Sequence, residues 1–186
     1  MIAGLTIAIE EPETPTNYVI QTATGRGNAT FIPDKGEIEG LRAINESELP
    51  EEGKPALQFP FGFFSFNITG LNPNQTVNIT IAFPQNIPTT AQYWKYGPNG
   101  SIDNPQPERW YQIPMGSNDG DNIITITLQD GGIGDDDGVA NGVIVDQGGP
   151  GIPTAVARVP TLTPIGIIAL AGLLLIIGIS RIKKRK

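Results

Sequence analysis

Between residues 18 and 145 the chain is a succession of short runs in which apolar and polar residues alternate, cut apart by Gly, Pro and Asn. A period of two sends successive side chains to opposite faces of an extended backbone, whereas a helix needs apolar residues every three to four positions. Nine such runs are read, at 18–22, 29–32, 37–44, 63–69, 77–83, 92–96, 110–113, 123–128 and 142–145. With 23 Gly and 17 Pro in 186 residues, the chain is also rich in turn formers. The pattern predicts an all-β domain over 17–150, folded as a sandwich of two antiparallel sheets. The stretch 37–52 is ambiguous, since Ile38, Leu41 and Ile44 also fit a three-residue spacing; it is read as a strand followed by a loop. The core is expected from Phe31, Ile38, Phe59, Phe64, Phe66, Ile68, Leu71, Val77, Ile79, Ile81, Phe83, Trp94, Trp110, Ile124, Ile126, Leu128 and Ile144.

The chain contains neither Cys nor His. That excludes thiolate and imidazole nucleophiles or bases, disulfides, and the usual zinc and iron–sulfur ligand sets. Five of the 12 basic residues, Arg181, Lys183, Lys184, Arg185 and Lys186, lie in the last six positions. The remaining 180 residues therefore carry 7 basic against 19 acidic groups, a net charge of −12. Such a surface repels phosphate backbones, so nucleic acid is excluded as a partner.

From Val159 to Ser180 there are 22 consecutive uncharged residues, abutted by the basic cluster. As a helix, a segment of that length spans about 33 Å, against about 30 Å of bilayer hydrocarbon. A single membrane-spanning helix is expected at 162–180, with a cytoplasmic tip at 181–186 and the rest of the chain outside the cell. A stalk is expected over 151–161. Residues 1–16 start with an apolar stretch that has no basic flank and is followed by Glu10, Glu11 and Glu13, so they read as a strand or the end of a longer parent chain.

Glycosylation acceptors fit the exterior placement. The pattern Asn-x-Ser/Thr occurs at Asn28, Asn45, Asn67, Asn74, Asn78 and Asn99, where the composition predicts about 1.5 by chance. Asn67 and Asn78 fall on the polar phase of their strands, and Asn74 lies in the turn between them, so three sites line one hairpin.

Two clusters are candidates for binding. Asp130, Asp135, Asp136, Asp137, Asn141 and Asp146 lie within 17 residues, among glycines. Calcium, which takes six to eight oxygen ligands, would relieve their mutual repulsion; a solvated turn whose side chains cap its own backbone is the alternative. An EF-hand is excluded, because Val139 and Ala140 stand where that loop needs an oxygen ligand and Gly. A glycosidase-type carboxylate pair is not specified by adjacent Asp residues. The aromatic group Tyr93, Trp94, Tyr96, Trp110 and Tyr111 could stack on sugar rings or serve in packing.

Three ordered motifs carry a resemblance. They are 59–71 (Phe-Pro-Phe-Gly-Phe-Phe-Ser-Phe-Asn-Ile-Thr-Gly-Leu), 93–97 (Tyr-Trp-Lys-Tyr-Gly), and 128–137 with 141–150, from Leu128-Gln129-Asp130 to Gly148-Gly149-Pro150. Together they resemble the choice-of-anchor U domain, a prokaryotic surface domain found before varied anchoring signals, over residues 17–150. Gln147 departs from the Pro usual in that family. The chain's end, with Val159, Pro160, Thr161 and Leu162 before the apolar run and basic tip, is similar to sorting signals read by exosortases and archaeosortases. It matches neither the bacterial Ile-Pro-Thr-Leu type nor archaeal Pro-Glu-Phe tails in full. The resemblance implies surface display, with a sorting transpeptidase and envelope proteins or glycans as partners, and gives no catalytic residue.

The expectation is a glycosylated, membrane-anchored surface protein of an archaeal envelope, structural or adhesive and without catalysis. Its anchor is either the intact helix or a processed remnant. A carbohydrate-binding adhesion module is the alternative, and an extracellular hydrolase the third reading.

Overall fold

The computed structural model describes residues 15–99, 106–132 and 134–154. Eleven strands lie among them: β1 (Tyr18–Gln21), β2 (Asn28–Pro33), β3 (Glu37–Ile44), β4 (Leu57–Gln58), β5 (Phe63–Thr69), β6 (Thr76–Ala82), β7 (Gln92–Gly97), β8 (Arg109–Ile113), β9 (Met115–Ser117), β10 (Ile123–Gln129) and β11 (Ile144–Pro153). One sheet has the order β1-β2-β6-β10-β9 and the other β3-β5-β11-β7-β8, with β4 added at the end of β11. The described residues thus form the expected all-β antiparallel sandwich. Among them no helix is long and apolar enough to cross a membrane. The apolar run at 162–180, the signature Val159–Leu162 and most of the N-terminal segment lie outside the described residues.

The sheets meet because the alternating strands each supply one apolar face. In β6 and β10 the pairs Val77–Leu128, Ile79–Ile126 and Ile81–Ile124 face each other across the ladder, all buried. Phe64, Phe66, Ile68 and Ile144 answer from the second sheet. Phe31 on β2 reaches across with its ring 5.1 Å from Phe64 and 5.5 Å from Phe66, edge to face. Each such ring contributes about 1.5–3 kcal/mol by leaving water.

A second apolar group joins Ile44, Leu49, Phe59, Phe63 and Trp110, with Leu57, Trp94 and Tyr96 partly buried against it. These residues have the phase opposite to Phe64 and Tyr111, so the second sheet is apolar on both faces. Phe59 and Trp110, expected in the single core, belong here. The Trp110 indole donates to the Pro50 carbonyl at 2.8 Å, which ties down the segment after β3.

Two local features depart from the sequence reading. In β3 the partners shift from Glu39–Asn67 to Arg42–Ser65, so three steps on one strand match two on the other. Gly40, at φ 64°, makes this bulge possible, and the bulge puts Ile38 and Ile44 on opposite faces. The helix-like spacing of Ile38, Leu41 and Ile44 is its signature. The second departure is β11. Residues 151–153, expected in the stalk, remain paired, Gly151 with Gln92, Ile152 with Gln58 and Pro153 with Leu57.

Candidate functional site

The site grows from β7. Its inward residues are Tyr93, Lys95 and Gly97, and its outward residues are Trp94 and Tyr96, the reverse of the phase expected from Trp94. Tyr93 is fully buried and Tyr111 nearly so, which removes both from the proposed stacking surface. Lys95 is also fully buried, a position an ammonium group occupies only with close partners.

Those partners come from β11 and from the acidic loop. Lys95 donates to Asp146 Oδ1 at 2.5 Å and to the Gly134 carbonyl, and its Nζ lies 3.4 Å from Asp136 Oδ1. The Tyr111 hydroxyl donates to the same Asp136 oxygen at 3.1 Å. Within this group two buried polar atoms have no hydrogen-bond partner among the described residues, the second Asp146 oxygen and the Tyr93 hydroxyl. Glycines make room for the group. A Cβ on Gly148 would come within 2.4 Å of the Tyr93 ring and 3.1 Å of the Lys95 stem, and one on Gly97 would meet Asp136 Oδ1 at 2.9 Å.

Burial dominates the electrostatics. It raises the Asp146 carboxyl, against the opposing pull of Lys95. It pushes Asp136 up to about 7, with Lys95 opposing and the charge of Asp146 adding to the rise. Burial, then the neighbouring carboxylates, pushes the Tyr93 and Tyr111 phenols up. The group is therefore a primary amine, two carboxyls and two phenols, of which only Asp136 keeps a partial opening to solvent, its side chain being 12% exposed.

The other acidic residues have separate partners. Asp130 is buried and accepts from the amides of Asn74 (2.8 Å), Asn141 (3.2 Å) and Gly142 (3.1 Å to each oxygen). Asp135, also buried, accepts from the amides of Gly131 (2.8 Å) and Val145 (2.9 Å). Burial raises its carboxyl, while these two amides act the other way. Asp137 is exposed and accepts from the Val139 amide and the Asn141 side chain. The carboxylates expected to gather round calcium thus point to backbone amides and to Lys95. Among the described residues no group of three or more acidic side chains is disposed to hold a metal ion.

The outward aromatics border a shallow depression of about 290 Å³ lined by Tyr96, Trp110, Pro50, Glu52, Gly53, Glu108 and Arg109. Trp110 presents little surface there, being 8% exposed. Of the six sequon asparagines, Asn28, Asn45, Asn67, Asn74 and Asn78 are exposed and Asn99 is half-buried. Asn78 is engaged, donating to Asp34 Oδ2 and accepting from the Thr127 hydroxyl.

No protein-family model, curated protein or solved structure matches this chain. Lys95, the centre of the buried group, is absent from the sequence-derived candidates. Its one signal is its place between Tyr93 and Gly97 on a strand whose other face carries Trp94 and Tyr96, so that both faces read as buried.

Proposed function

We propose that this chain is a single-pass membrane protein whose β-sandwich stands outside the cell, N-glycosylated, in a structural or adhesive role in the envelope. The observation that carries the reading is the 22-residue uncharged run Val159–Ser180 followed by five basic residues in six positions. That pattern orients the tip to the cytoplasm and the sandwich to the exterior. Exposure of five sequon asparagines supports it, since each is open to a glycosyl transferase. The closed character of the buried group also fits a domain that displays a surface without turning over a substrate. Processing by an archaeosortase- or exosortase-type transpeptidase at Val159–Leu162 belongs to the same proposal and rests on the resemblance of the tail.

Protease added to intact cells tests the compartment: the sandwich should be lost while cytosolic markers survive, and its protection would overturn the reading. Intact mass of the protein from its own cells reports glycans and tail cleavage together. Glycan binding at the depression beside Tyr96 is the second reading, favoured by the aromatic edge flanked by Glu52, Glu108 and Arg109. Tyr96→Ala should then abolish sugar binding while leaving the fold unchanged.

A further inference from the structure

We propose that Lys95 and Asp146 join in an intramolecular isopeptide bond, an amide between Lys95 Nζ and Asp146 Cγ that the fold itself forms with loss of one water. The two residues sit on neighbouring antiparallel strands, β7 and β11, with both side chains turned into the core. Lys95 is directly opposite Gly148, two positions from Asp146, and the absent side chain at Gly148 lets the lysine stem lie along β11 toward the carboxyl. The nitrogen is 2.5 Å from one carboxyl oxygen, so the reacting groups are already in contact, the condition under which intramolecular attack gains most over a bimolecular one. The other Asp146 oxygen is buried with no hydrogen-bond partner among the described residues. A carboxylate kept for a salt bridge alone would leave that oxygen at a cost, whereas an amide carbonyl is uncharged and is buried more cheaply.

The chemistry balances within the group. Lys95 passes one proton to the Asp146 carboxylate across their hydrogen bond, giving a neutral amine and a neutral acid. The amine lone pair attacks Cγ, and the carbonyl electrons move onto oxygen. The nitrogen then releases a second proton to Asp136, whose carboxylate lies 3.4 Å away and is steadied by the Tyr111 hydroxyl. The tetrahedral centre collapses and expels the hydroxyl, which takes that proton back from Asp136 and leaves as water. The third nitrogen-bound hydrogen stays as the amide N–H, with the Gly134 carbonyl as its acceptor. No oxidant, metal or external reagent is needed, and two buried charges disappear. Asp146 is the acyl donor because it is nearer and fully buried, while Asp136 is the proton carrier. In a chain without cysteine, the bond would supply the covalent tie between two inner strands of one sheet.

The test uses the full chain, made in a bacterial cytosol, solubilised in detergent, shown to be folded by near-ultraviolet circular dichroism, and then denatured and weighed. The expected mass is that of the sequence less one water. Trypsin should then release residues 43–109 joined to residues 110–158 as one product, because an acylated Lys95 is not cut and Lys54 precedes Pro55. Lys95→Arg keeps a cation but cannot form the bond and should restore the full mass. If that variant fails to fold, the wild-type peptide map decides alone. A folded wild-type chain of full mass, giving residues 43–95 and 96–109 separately, would overturn the proposal. So would a water lost within one peptide, as a succinimide at Asp130-Gly131 or Asp137-Gly138 would lose it. Asp136→Asn should leave a larger fraction of folded chains at full mass than wild type, and an equal fraction would remove Asp136 from the proton path.

Discussion

Replacing Asp130 with Ala asks whether the acidic loop is a cation site or a clamp on the backbone. Asp130 is fully buried and its two oxygens serve three amides from two distant segments, Asn74 in the turn between β5 and β6, and Asn141 and Gly142 before β11. Truncation leaves the Asn74 and Gly142 amides without their acceptor, while the Asn141 amide keeps the Val139 carbonyl at 2.8 Å. The Gly142 amide is buried and bears the full penalty of an unsatisfied group, about 1–3 kcal/mol. Asn74 is an exposed residue, so water recovers part of the about 1.5–3 kcal/mol that its bond to a charged acceptor is worth. Removal of a buried charge offsets a little, and the expected net loss is about 2–4 kcal/mol. Urea unfolding of the detergent-solubilised full chain, followed by the fluorescence of Trp94 and Trp110, measures it. The midpoint should fall at constant slope, by the same amount with and without a chelator, and the wild-type midpoint should ignore the chelator. A loss below about 1 kcal/mol, or one that appears only when calcium is present, would refute the backbone-clamp argument.

The remaining expectations are independent of that one. Asp136, raised to about 7, holds its proton more tightly in the folded state than in the unfolded one, where a carboxyl titrates near 3.9. Its contribution therefore falls as pH rises from about 4 to about 7 and is level above. Lys95, Asp146, Tyr93 and Tyr111 face it, and Asp136→Asn should abolish this part of the slope; parallel stability curves for variant and wild type would contradict the assignment. Gly148→Ala should lower stability by about 1–3 kcal/mol through overpacking against Tyr93, read as a shifted urea midpoint. Asn67→Gln should remove one glycan from the protein of its own cells without moving the unfolding midpoint, since Asn67 is exposed on β5; a mass changed only by the added methylene would show the site unoccupied. Asn78→Gln should remove a glycan and also destabilise slightly, because its amide is bonded to Asp34 and Thr127.

How far the sequence discloses this molecule depends on which residues carry a single meaning. In β6 and β10, Val77, Ile79, Ile81, Ile124, Ile126 and Leu128 occupy one phase with polar residues on the other, so period, face and partner all agree. In β7 the phases compete: Trp94 and Tyr96 are as apolar as Tyr93, and a lysine normally marks the solvent side. Only the tertiary context resolves it, because Trp110 and Phe59 cover the outward face while Asp146 and the carbonyl of Gly134 receive the lysine within. In β11 the obstacle is different. Gly148, Gly149, Pro150 and Gly151 look like the end of a domain, yet a Cβ on Gly149 would come within 2.6 Å of the Gly62 carbonyl and one on Gly151 within 2.8 Å of Leu57. These glycines are places where other residues approach the strand too closely for a side chain, which local propensity cannot register. The acidic loop is ambiguous for the same reason in reverse. Spacing showed that Asp130, Asp135, Asp136 and Asp146 were close, but a carboxylate is equally suited to a cation, a backbone amide or a buried amine. The choice among them was made by residues up to 56 positions away in the chain.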